Sequence, residues 1–138
     1  MSYAGDLTPD EAFRLLESQP EAILVDVRTQ AEWSYVGVPD LSGVDKAPIL
    51  AEWVTFPDGA RNPRFLDEVS AAAAGKSVPV VFLCRSGVRS VAAAETATAA
   101  GFTAAYNVTE GFEGPSDASG HRGTAAGWKV RGLPWKQS

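Results

Sequence analysis

Two stretches of this chain are almost wholly apolar and too short for buried helices: Ala22 to Val27 (AILVDV) and Pro79 to Cys84 (PVVFLC). A strand with one wet face alternates apolar and polar residues, so unbroken runs of this length are expected of strands that helices cover on both faces. Helix signals lie between and around the two runs. The alternation predicts an α/β fold whose central, mostly parallel sheet is flanked by helices on both faces.

The remaining elements follow from local chemistry. Thr8-Pro9-Asp10-Glu11 is a capping box with proline at the first helical position, so a helix is expected over about Pro9 to Ser18, with Leu7 placed to staple onto Ala12. Lys46 to Val54 is expected to hold a further strand, and Pro63 to Ala74 a helix with Phe65, Leu66 and Val69 inward. Val88 to Ala100 is Ala-rich and ends at Gly101, which suits a helix packed close to the sheet and closed by a glycine. Thr103 to Val108 reads as the last strand. The Gly, Ser, Asp and Pro content of Glu110 to Gly123 marks an extended loop.

Size and charge narrow the function. The 138 residues suit one domain spanning 1–138, and 45% hydrophobic with 21% charged residues is ordinary for a folded globular chain. A formal charge of -5 disfavours non-specific binding to nucleic acid or an anionic membrane surface. The first residues have neither a basic nor an apolar leader region, which predicts a cytoplasmic location. With one cysteine and one histidine, His121, the chain can form no internal disulfide and no zinc site of ordinary ligand count. No metal or other cofactor is expected.

The chemistry is concentrated in Cys84-Arg85-Ser86-Gly87-Val88-Arg89-Ser90, between a buried strand and a helix. Ligands of open parallel sheets bind beyond the carboxyl ends of the strands, and a loop opening into a helix offers inward N–H groups and a positive dipole end. The same surroundings favour thiolate over thiol, and the thiolate is the nucleophile of sulfur chemistry. A lone cysteine often serves as a small buried hydrophobe. Such a residue has no need of two neighbouring guanidinium groups, and at a helix N-terminus Arg85 and Arg89 are unfavourable unless an anion binds there.

The loop CRSGVRS resembles the active-site loop of the rhodanese family. Leu24 to Arg28 (LVDVR) followed by Glu32-Trp33 is similar to the strand and short helix that open many rhodanese domains, and Gly127-Trp128 through Gly132-Leu133-Pro134 is similar to the family's C-terminal ending. The three stretches occur in the family's order from end to end of the chain. Two departures accompany them. Val36-Gly37-Val38-Pro39 keeps the proline of a His-Ile-Pro-Gly-type turn without its histidine, and the loop from Gly111 to Gly123 is longer than usual.

The resemblance implies a sulfurtransferase that moves sulfane sulfur from thiosulfate or a persulfide donor to a thiol or protein acceptor. It assigns Cys84 as nucleophile and persulfide carrier. The amides of Arg85, Ser86, Gly87, Val88, Arg89 and Ser90 would cradle the outer sulfur, and Arg85 and Arg89 would orient a small anionic donor. Asp26, Arg28 and Glu32 are expected to form a structural polar network, and His121 to be an ordinary loop histidine. A non-catalytic interaction module is the main rival, although such modules commonly lack the cysteine. Cysteine phosphatases place five residues between Cys and Arg, whereas Cys84 and Arg89 enclose four, a smaller ring better matched to sulfur than to phosphate. A Cys–His protease lacks a recognisable orienting motif.

Overall fold

The computed structural model describes residues 3–54, 60–85, 87–114, 118–120 and 126–137. Five strands form a parallel sheet: β1 (Gly5–Leu7), β2 (Ile23–Asp26), β4 (Ile49–Leu50), β5 (Val80–Leu83) and β6 (Ala105–Val108), in the order β1-β6-β5-β2-β4. The apolar runs supply β2 and β5, whose four paired positions run from Ile23 opposite Val80 to Asp26 opposite Leu83. The strand expected within 46–54 shrinks to two residues, Ile49 and Leu50, at the sheet edge. A separate antiparallel pair joins β3 (Val38–Pro39) to β7 (Trp135–Lys136) and ties the chain's end to the segment after the second helix.

The helices are α1 (Pro9–Ser18), α2 (Gln30–Tyr35), α3 (Phe65–Ala72) and α4 (Arg89–Ala99); α1, α3 and α4 bury residues in the core around the sheet, whereas α2 buries none. The Thr8 capping box starts α1 with both reciprocal hydrogen bonds in place. A second one, Thr29 with Glu32, starts α2. Helix α3 turns Phe65 and Val69 fully inward and leaves Leu66 partly buried.

Strand alternation sorts the core into two halves. Val25 and Val27 of the β2 run and Val80, Phe82 and Cys84 of the β5 run point to one face, where they meet Phe65, Val69, Ala93, Ala94 and Ala97. Leu24, Val81 and Leu83 point to the other, against Ala12, Leu16, Val108, Phe112 and Trp128. This doubly covered sheet explains the unbroken apolar runs. It also puts Cys84 on the α4 face, one residue beyond the carboxyl end of the central strand. The alanines of α4 matter here, because a helix with small side chains on its inner face can lie close to the strand it follows.

The C-terminal Trp-to-Gly-Leu-Pro stretch closes the second half-core. Trp128 is completely buried, its indole N–H donates to the Pro134 carbonyl at 2.7 Å, and its ring meets Phe13 edge-on. Among the described residues no helix is long and apolar enough to cross a membrane.

Candidate active site

Cys84 directly follows β5 as a free, buried thiol. The chain then turns through Gly87, whose φ of +105° is a left-handed conformation that side chains resist. A Cβ at this position would also strike the Thr109 carbonyl oxygen. The turn aims the Gly87 N–H back at the sulfur, 3.0 Å away. Helix α4 begins two residues later. Its N-cap residue is Val88, which provides no side-chain hydrogen bond to the first turn and stands 77% exposed. A valine cap leaves the open end of the helix dipole to whatever occupies the loop.

Each loop residue expected at the site has a distinct place. Arg85 is half exposed and lies 3.5 Å from Glu113, while its carbonyl accepts the Glu113 and Gly114 N–H groups. Arg89 is committed to Glu32: its Nη1 and Nη2 donate to the two carboxylate oxygens at 2.8 and 2.9 Å. Ser90 is fully buried, and its hydroxyl lies 3.2 Å from the Cys84 sulfur. Ser86 and His121 fall outside the described residues.

Glu32 therefore has two tasks, capping α2 and gripping the first residue of α4. Burial pushes its carboxyl upward, but the hydrogen bonds and charge of Arg89 outweigh that and hold it below the usual glutamate range. The same hydrogen bonds raise Arg89 above an ordinary arginine, against the opposing effect of burial. The charges of Glu32 and Asp26 act on it in the same direction.

Beneath the loop lies a second ion pair. Arg28, fully buried, donates from Nε and Nη2 to both oxygens of Asp26 at 2.9 and 2.6 Å, and from Nη2 to the Gly37 carbonyl at 2.7 Å. Its guanidinium carbon stands 4.3 Å from the centroid of the Phe112 ring, whose face shields the charge. Phe112 in turn donates its N–H to the Cys84 carbonyl at 2.8 Å. The pair thus supports the chain segment that runs alongside the cysteine loop.

Local pattern gave no sign of the polar chain behind Cys84. Ser90 donates to Oδ1 of Asn107, also buried, and Asn107 Nδ2 donates to Asp6 Oδ1 at 3.1 Å. Tyr3 donates its hydroxyl to the same Asp6 oxygen at 2.7 Å, a bond that raises the phenol above its usual range. Asp6 and Asn107 face each other in the β1–β6 register. Glu32 was expected to join Asp26 and Arg28, but its fork goes to Arg89, while the roles of Asn107 and Asp6 become visible only once the elements are packed, because their partners are distant in sequence.

A cleft of about 270 Å³ lies beside the loop, lined by Ala31, Glu32, Tyr35, Val36, Arg85 and Glu113. A larger hollow of about 660 Å³ lies between α1 and the β1/β6 edge and includes Leu7, Leu15 and Tyr106. The chemistry favours the smaller one, which adjoins Arg85. Among the described residues no group of three or more His, Cys, Asp or Glu is placed to hold a metal ion.

A five-stranded parallel sheet carrying a cysteine loop beyond its central strand is a rhodanese-like fold, shared by solved structures of rhodanese-like domain proteins. Residues 5–138 match the family described as STR4 middle domain, and the chain belongs to it. The crystal structure of Rv0390 from M. tuberculosis is 55% identical and superposes with a TM-score of 0.90, covering 99% of this chain and 100% of that one. The RP600 homolog of Rickettsia rickettsii is 38% identical over 130 residues, 91% of this chain and 92% of its own length. In fold alone, the polysulfide-sulfur transferase homodimer from Wolinella succinogenes aligns with a TM-score of 0.65 and 23% identity over 99% of this chain and 80% of that one.

Proposed function

We propose that this chain is a sulfurtransferase that carries sulfane sulfur as a persulfide on Cys84. The observation that carries this reading is the sulfur's position at the end of β5, accepting the Gly87 N–H at 3.0 Å where the uncapped α4 begins. An amide donor and an open helix N-terminus at the sulfur favour negative charge there, as a nucleophilic sulfur carrier requires.

In the reaction the Cys84 thiolate attacks the outer sulfur of thiosulfate. The new S–S bond forms as the donor's S–S bond breaks, and sulfite leaves with the bonding pair. A thiolate or cyanide then attacks the outer sulfur of the persulfide and returns Cys84 as thiolate. With no second cysteine in the chain, the acceptor thiol is external.

Arg85, half exposed beside the cleft, is the guanidinium available to an anionic donor. Arg89 contributes shape and charge through its fork with Glu32. The same fork weighs against a phosphatase, whose loop arginine must be free to grip a phosphate bidentately.

Intact-mass analysis after exposure to thiosulfate, with Cys84→Ser as control, tests the reading. The wild type is expected to gain one sulfur atom and lose it on addition of cyanide. Failure to form a persulfide with any sulfane donor, while Cys84 still reacts with an alkylating agent, would overturn it.

A further inference from the structure

We infer that Asn107 and Asp6, outside the cysteine loop, are positioning residues that turn the Ser90 hydroxyl proton away from Cys84 and so restrain formation of its nucleophilic thiolate. The functional consequence rests on Cys84 being the sulfur carrier; the proton arrangement itself does not.

The donors available around Ser90 fix where its proton goes. An ionised carboxylate can only accept, so Asp6 must receive both the Tyr3 hydroxyl and an N–H of Asn107. That orients the Asn107 amide with its nitrogen toward Asp6 and its carbonyl oxygen toward Ser90. A carbonyl oxygen also only accepts, and a serine hydroxyl has one proton, which Ser90 therefore gives to Asn107. What Ser90 presents to the sulfur, 3.2 Å away, is a lone pair. The contact is thus a thiol S–H donating to Ser90. A thiolate would face that lone pair until Ser90 rotated, and the rotation would leave the buried Asn107 carbonyl unpaired.

The Gly87 N–H donates to the same sulfur at 3.0 Å, and an amide donor favours negative charge where it points. Cys84 stands between two opposed devices, one of which is set by a carboxylate on the exposed edge strand.

The test is the rate of alkylation of Cys84 by iodoacetamide as a function of pH, which needs no sulfur donor. Asp6→Lys replaces an acceptor with a donor, so Asn107 must turn its oxygen outward and its nitrogen to Ser90, freeing the Ser90 proton for the sulfur. Asn107→Leu removes the acceptor outright. Both variants are expected to shift the rise in rate to lower pH by about one unit, the tenfold effect of one charge-assisted hydrogen bond. Asp6→Glu keeps an acceptor and should follow the wild type. Adding Ser90→Ala should abolish the shift, which separates hydrogen-bond direction from the added charge of lysine.

Asp6 is exposed, so Asp6→Lys decides the matter even if Asn107→Leu does not fold. A profile for folded Asp6→Lys that coincides with the wild type, moves to higher pH, or shifts equally without Ser90 would overturn the inference. Persulfide formation from thiosulfate is measured separately, so a failed sulfurtransferase reading leaves this result standing, and the converse holds.

Discussion

Replacing Asp26 with asparagine keeps the shape of the side chain and removes its charge, leaving the fully buried Arg28 without the carboxylate it is bonded to. Two of the three side-chain hydrogen bonds of Arg28 end on Asp26. An asparagine oxygen can accept only part of that fork, and its amide nitrogen brings a donor against a donor. Breaking a buried pair from one side typically costs about 3–5 kcal/mol, and the retained amide oxygen places this variant at about 3. For a chain of this size that lowers the melting temperature by about 10 °C. Urea unfolding followed by the fluorescence of the buried Trp53 and Trp128 would measure it. A second variant, Asp26→Leu with Arg28→Met, removes both charges and should cost far less, because the pair pays its own desolvation on folding. A loss below about 1 kcal/mol for Asp26→Asn, or an equal loss for the apolar double variant, would refute the reasoning.

Other consequences follow from the site. Because Arg89 depresses Glu32, the stability this pair supplies is fully present above the unfolded glutamate value of about 4.3 and fades as pH falls through the lower folded value; Glu32→Gln should flatten that part of the acid unfolding curve. Gly87→Ala should destabilise the chain by more than about 1 kcal/mol through its positive φ alone, and slow alkylation of Cys84 by displacing the amide from the sulfur, read by urea unfolding and iodoacetamide kinetics. Arg85→Ala should raise KM for thiosulfate more than for a neutral persulfide donor, while leaving the unfolding midpoint unchanged because the side chain is half exposed; equal losses for both donors would assign Arg85 to structure.

What the sequence by itself determined is what nearest neighbours control. The Thr8 capping box starts α1, the two apolar runs become β2 and β5, and the Ala-rich stretch after the loop becomes α4, ending within a residue or two of Gly101. The motif containing Cys84 was legible for the same reason, since strand, loop and helix are contiguous. Strands β1, β3 and β7 are two or three residues long and exist because of the strands they pair with, so no local periodicity announces them. Arg89 looked like a free anion-binding arginine until packing brought it to Glu32, 57 residues away. Asn107 lies within the stretch read as the last strand, and only the β1–β6 register sets it against Asp6, 101 residues away, with Ser90 as its other partner. Periodicity reports which face of an element is buried. Which polar groups meet on that face depends on strand order and register, and in this chain those decide where the protons around Cys84 lie.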